Sequence, residues 1–167
     1  MAEGKFKVAA VQMVSEPGVQ ANLAVAGELI AQAAGEGAQL VALPEYFCIL
    51  GLRERDKVDV READGHGPIQ DFLATAAAKN KIWLVGGSAP LECADPDKVK
   101  NSCLVFDDAG RRVARYDKIH LFGFDSGTER FDESRSIEPG SEVVTVDAPF
   151  ARLGLSICYD LRFPEMY

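Results

Sequence analysis

Short apolar runs alternate with amphipathic stretches through the first half of the sequence. This β-α-β-α-β rhythm restricts the fold more than any other feature. Residues 5–13 form a brief apolar run suited to a buried strand. Beyond Pro17 and Gly18, the residues Val19, Leu23, Ala26, Ile30 and Ala33 recur at helical spacing. That spacing predicts an amphipathic helix over residues 18–35, stopped near Gly35 and Gly37. Gln39 to Leu43 reads as a second strand, closed by Pro44, and residues 46–66 are charged and irregular. Gly67-Pro68 opens another helix with proline in its first turn and Ile69, Phe72, Leu73 and Ala76 along one face. Ile82 to Val85 is a third strand, running into Gly86-Gly87.

The second half changes character. Ser102 to Phe106 and Val113 to Tyr116 flank the turn Asp107-Asp108-Ala109-Gly110, the pattern of a hairpin with glycine in the left-handed position. Glu142 to Val146 and Arg152 to Cys158 form a second strand pair around Ala148-Pro149. No repeat, low-complexity tract or linker interrupts the 167 residues, so the chain reads as one domain over 1–167. The fold class is α/β, a mixed sheet covered by helices on at least one face.

Composition removes several function classes. With 47% hydrophobic and 26% charged residues, the chain is neither a disordered tail nor a coiled coil. Eighteen basic against 26 acidic residues leave a net charge of −8, a surface that repels phosphate backbones and argues against nucleic-acid binding. No apolar stretch approaches the roughly 18–20 residues needed to cross a bilayer. The first residues, Met1 to Val8, mix charges into what a signal peptide keeps apolar, so the expected compartment is the cytoplasm. Cys48, Cys93, Cys103 and Cys158 are scattered, without a C-x-x-C pair or histidines at helical spacing, so neither zinc nor a disulfide is expected.

Three reactive side chains sit at the ends of apolar strands, where open α/β sheets tend to bind ligands. Glu45 follows Leu43-Pro44 and is flanked by Tyr46 and Phe47; apolar surroundings raise a carboxyl's pKa towards useful proton transfer. Lys118 ends a hairpin strand in Tyr116-Asp117-Lys118-Ile119-His120-Leu121-Phe122, where His120 reads as structural. Cys158 lies where a strand meets a turn, with Pro164-Glu165 announcing a helix beyond. That placement resembles a nucleophile elbow, where backbone N–H groups favour thiolate and can bind an oxyanion. Each alone has an ordinary alternative: a solvated loop glutamate, an edge-strand lysine, a small buried cysteine.

Glu45, Lys118 and Cys158 in that order resemble the Glu-Lys-Cys triad of the nitrilase superfamily of carbon–nitrogen hydrolases. The likeness runs through Val11-Gln12-Met13, Leu43-Pro44-Glu45, Tyr116 to Phe122, and Ile157-Cys158-Tyr159-Asp160-Leu161-Arg162-Phe163-Pro164-Glu165. Glu133-Ser134-Arg135 before Pro139-Gly140 is similar to the family's region with a further active-site glutamate. The resemblance implies the N-terminal part of an α-β-β-α sandwich and a cysteine-dependent amidase needing no cofactor or metal. Cys158 is then the nucleophile and Glu45 the base. Lys118 and the Tyr159 N–H hold the oxyanion, and Glu133 positions Lys118 or the substrate.

The Cys158 block most resembles the Nit subgroup, which contains deaminated-glutathione amidase and ω-amidase, with Pro164 leaning towards the former. The implied substrate is a small carboxylate-bearing amide. An N-carbamoyl amidase and a non-catalytic piece that only binds or associates stand as alternatives, with nitrile hydrolysis ranked behind them. Family members continue well beyond the cysteine and usually pair with a second subunit. Homo-oligomers are therefore expected of the complete protein. Residues 1–167 alone are expected to leave strands open on one face, expose Cys158 and turn over amides little.

Overall fold

The computed structural model describes residues 5–167; Met1 to Gly4, part of the stretch read against a signal peptide, lie outside it. The alternation of the first half is realised closely. β1 (Val8–Ala10), α1 (Val19–Gly35) and β2 (Leu40–Ala42) are followed by the one-turn helix α2 (Asp56–Asp59), then α3 (Pro68–Asn80) and β3 (Trp83–Val85). β1, β2 and β3 run parallel in consecutive register.

A strand that the sequence reading did not anticipate, β4 (Ala89–Glu92), precedes the hairpin of β5 (Val99–Phe106) and β6 (Arg112–Asp117). Pro90 in its middle argues against a strand. The Pro90 carbonyl, however, accepts from Glu62 N at 3.1 Å, while Glu92 N donates to the Glu62 carbonyl at 2.9 Å. The proline nitrogen therefore faces Glu62 rather than β5, and no ladder bond to β5 is lost. β3 and β4 lie along the same side of β5, β3 opposite its last residues and β4 opposite its first. Gly110 in the β5–β6 turn has φ +76°, the left-handed glycine expected there.

Alternation along the strands sorts the core onto two faces. Val41, Leu84, Leu104 and Phe106 pack with Leu23, Ala26 and Ile30 of α1 and Ile69, Leu73 and Ala77 of α3. Leu40, Trp83, Cys103, Val105 and Tyr116 point the other way. The chain continues through the hairpin β7 (Gly123–Asp125) and β8 (Arg130–Asp132), then the antiparallel pair β9 (Thr145–Asp147) and β10 (Arg152–Gly154). Val146 and Leu153 of that pair, with Leu155 and Ile157, cover the second face. The expectation of an open face is thus overturned across the middle of the sheet, where Val105 and Tyr116 are fully buried. Exposed apolar surface remains at the β1 edge, on Phe6 and Val8. Among the described residues no helix is long and apolar enough to cross a membrane.

The charged stretch 46–66 is more ordered than its composition suggested. The buried Glu62 carboxylate caps α3, accepting from Ile69 N at 2.6 Å and Gln70 N at 3.1 Å. A negative charge on two otherwise unsatisfied amides at a helix N-terminus explains why a glutamate is buried here.

Candidate active site

Glu45, Lys118 and Glu133 meet around one ammonium. The Lys118 side chain is fully buried, and its Nζ lies 3.1 Å from Glu45 Oε1 and 2.9 Å from Glu133 Oε2. Burial works against the ammonium, but the two carboxylates outweigh it and hold the Lys118 pKa above the ordinary lysine range. Glu45 Oε1 and both Glu133 oxygens lie within 3.1 Å of Nζ, so a further oxygen has to share the ammonium's three N–H donors with them.

Backbone pairing fixes this geometry. Glu45 leaves the end of β2 through Pro44, and Gly87, beyond β3, packs against that turn. A Cβ on Gly87 would stand 2.0 Å from the Pro44 carbonyl oxygen, and its φ is +57°, so only glycine fits without displacing the Glu45 loop. The next residue, Ser88, accepts the Tyr46 N–H on its Oγ at 2.9 Å, steadying Tyr46 at φ +48°. Lys118 follows β6, its N–H donating to the Asn101 carbonyl and its own carbonyl accepting from Gly140 N. Glu133 opens a single 3-10 turn after β8 and accepts from Phe122 N at 2.7 Å.

Asn101 went unrecognised in the sequence. Fully buried in β5, it donates from Nδ2 to Glu45 Oε1 at 2.8 Å, the same oxygen that faces Lys118. The signal was present: Asn101-Ser102 breaks an otherwise apolar buried strand, and a polar pair there has to find partners.

Cys158 is exposed and sits at φ +50°, left-handed backbone that costs a non-glycine residue about 1–2 kcal/mol. The turn is held by Asp160. This fully buried carboxylate accepts from Ile157 N at 2.9 Å, His120 N at 2.9 Å and Tyr116 OH at 2.6 Å, with His120 Nδ1 at 2.8 Å. Burial opposes its charge, yet the Tyr116 hydroxyl and these N–H groups keep its pKa below the ordinary range. His120 stacks on Phe163 at 3.6 Å between centroids, the structural role read for it from sequence.

The surroundings of the thiol differ from the expectation. 3-10 turns span Cys158–Arg162 and Pro164–Met166, where a helix start was expected at Pro164-Glu165, with the Tyr159 N–H first after the cysteine. Burial, then the Glu45 charge, push the Cys158 thiol up, with Lys118 opposing. Glu45 and Lys118 are thus both close enough to act on it. A thiol kept protonated beside a carboxylate is arranged to pass its proton to that carboxylate when it attacks.

Access, rather than acidity, sets Cys158 apart from the other cysteines. Cys48 and Cys103 are buried, their thiols pushed up to about 12 by burial, and the Cys93 sulfur is 3.3 Å from the Asp95 carbonyl. Iodoacetamide is therefore expected to modify Cys158 first, as read by peptide mapping over time. Equal labelling of all four cysteines would contradict this. Among the described residues no group of three or more His, Cys, Asp or Glu side chains could hold a metal ion.

The chain resembles known proteins over nearly its whole length. The Carbon-nitrogen hydrolase family model matches residues 7–167. Omega-amidase NIT2-A of Xenopus laevis is 38% identical over 168 residues, covering 97% of this chain and 58% of that protein. Deaminated glutathione amidase of Yersinia enterocolitica is 36% identical over 163 residues, covering 96% of this chain and 56% of that protein. The chain thus spans little more than half the length of these curated relatives. Saccharomyces cerevisiae Nit3, a solved member of the nitrilase superfamily, superposes with a TM-score of 0.83 at 33% identity, over 96% of this chain and 58% of that one. The mixed α/β architecture is that of the nitrilase superfamily.

Proposed function

The chain belongs to the carbon–nitrogen hydrolase family, and on that premise we propose that it cleaves the C–N bond of a small, carboxylate-bearing primary amide through a thioester on Cys158. The observation that carries this reading is the Lys118 ammonium held between Glu45 and Glu133 beside an exposed cysteine in a left-handed turn.

In the proposed sequence Glu45 takes the Cys158 proton as the sulfur attacks the amide carbon. The carbonyl oxygen becomes an oxyanion, met by the Lys118 ammonium and by the Tyr159 backbone N–H. Collapse breaks the C–N bond, and Glu45 returns the proton to the leaving nitrogen, which departs as ammonia. Glu45 then deprotonates a water that attacks the thioester, releasing a carboxylic acid and restoring the thiol. Glu133 keeps Lys118 in place and does not meet the reacting atoms. A cytoplasmic location and a homo-oligomeric complete protein belong to the same proposal.

The test is ammonia release from a panel of carboxylate-bearing amides, uncharged amides, N-carbamoyl amino acids and nitriles, read against Cys158→Ala as the blank. Release from the carboxylate-bearing amides, lost in Cys158→Ala, is expected. Preference for N-carbamoyl compounds moves the reading to a carbamoyl amidase, and release from none of them by the complete protein, of which residues 1–167 alone are expected to show little, contradicts it.

A further inference from the structure

A cleft of about 290 Å³ lies between the loop that carries Glu45 and the strand before Glu133. Tyr46, the residue after Glu45, forms one wall, and Phe131, two residues before Glu133, another; Ile49 and Leu50 add apolar surface. Two cationic side chains line it, Arg53 and Lys57. Arg53 is already engaged, with Nη2 2.7 Å and Nε 2.9 Å from Asp56 Oδ1. Lys57 has no carboxylate within 4.0 Å among the described residues, and its Nζ lies 5.4 Å from the centroid of the Tyr46 ring. The Glu54 carboxylate also lines the cleft but makes no ion pair with Lys57, which leaves a half-buried ammonium with only an aromatic face in contact.

The charge of the neighbouring site says which anion. Glu45 and Glu133 carry two negative charges against the single positive charge of Lys118, so the cluster is left with an excess of one. A substrate bearing its own carboxylate is repelled by that excess unless a second cation answers it. Lys57 shares its cleft with Tyr46, next to Glu45, and Phe131, two residues before Glu133; burial lowers its pKa, while Glu133, Glu54 and Glu45 work to raise it. The apolar wall of Tyr46, Ile49, Leu50 and Phe131 beside it suits the short methylene chain of such a substrate.

We propose that Lys57 receives the substrate's carboxylate in the cleft between Tyr46 and Phe131, and so selects short-chain amides that end in a carboxylate. This rests on the amidase reading above. Its readout is the ratio of kcat/KM for the monoamide of a four- or five-carbon dicarboxylic acid to that for an uncharged primary amide of equal length.

Lys57→Met is expected to lower that ratio about 10- to 100-fold, mainly through KM for the charged amide, with Lys57→Arg restoring most of it. A ratio unchanged in Lys57→Met, while both amides are hydrolysed, overturns the Lys57 assignment and leaves the amidase reading intact. Calorimetric titration of glutarate into Cys158→Ala, with and without Lys57→Met, separates the opposite case. Binding that weakens about 10-fold or more on loss of Lys57, in a protein that hydrolyses no amide, supports Lys57 and contradicts the amidase reading. No binding and no turnover overturn both.

Discussion

Lys118→Met is expected to cut ammonia release by at least about 10³-fold and to destabilise the fold by about 3 kcal/mol. Methionine keeps the length and apolar stem of lysine but removes the ammonium between Glu45 and Glu133. The proposed oxyanion loses a charged donor, an effect on the order of 10²–10³ by itself. Glu45 also loses the cation that fixes its carboxylate, so the base is displaced as well. The stability loss follows because two carboxylates remain face to face without their counter-ion, and removing one partner of a buried pair typically costs about 3–5 kcal/mol. The low end applies because the Glu45 side chain keeps 28% of its surface in water.

Turnover of a saturating amide and urea unfolding at pH 7 read the two effects separately. In the unaltered protein the sign with pH is fixed by the raised pKa of Lys118. Its contribution is fully present below the ordinary lysine value of 10.5 and is lost as pH rises through the higher folded value. A Lys118→Met protein as stable and active as the original would contradict the placement of Lys118 at the centre of the site.

Glu45→Gln separates acidity from catalysis. Amide turnover is expected to fall by about 10²–10⁴, the usual contribution of a positioned general base. Alkylation of Cys158 by iodoacetamide at neutral pH should change in the opposite direction and become faster. The thiol is held up by burial and, next, by the Glu45 charge, so removing that charge leaves Lys118 opposing burial with less against it. The thiol pKa drops and the thiolate fraction rises. Glutamine still offers an oxygen to Asn101 and Lys118, so the fold is expected to stay intact. A merely structural Glu45 would lower both readouts together or neither.

The elements with strong periodicity were legible in the sequence, and those built from tertiary partners were not. α1 was read as 18–35 and observed as Val19–Gly35 because one apolar stripe faces the sheet along its length. β4 was hidden by Pro90, whose tolerance depends on the distant Glu62 occupying its other side. The hairpin β7–β8 is short and exposed over much of its length, so burial impressed no alternating pattern on it.

In the site, Glu45, Lys118, Glu133 and Cys158 were legible as reactive residues at strand ends or in blocks resembling a family. Asn101, Asp160 and Lys57 act through partners 40 or more residues away or through a cleft, and no local spacing records such contacts. The acidity of Cys158 was misread for a related reason. A helix start was legible in Pro164-Glu165, but the burial and, next, the Glu45 charge that push the thiol up come from tertiary packing, Glu45 from the loop after β2.

In the proposed reaction Cys158 carries the acyl group. Intact-mass analysis of the protein quenched in acid during reaction with a carboxylate-bearing amide tests it most directly, followed by peptide mapping. The predicted result is a mass gain equal to the amide less ammonia, located on Cys158 and absent from Cys158→Ala, which also releases no ammonia. Ammonia release that persists in Cys158→Ala, or an acyl group found on another residue, would contradict the account.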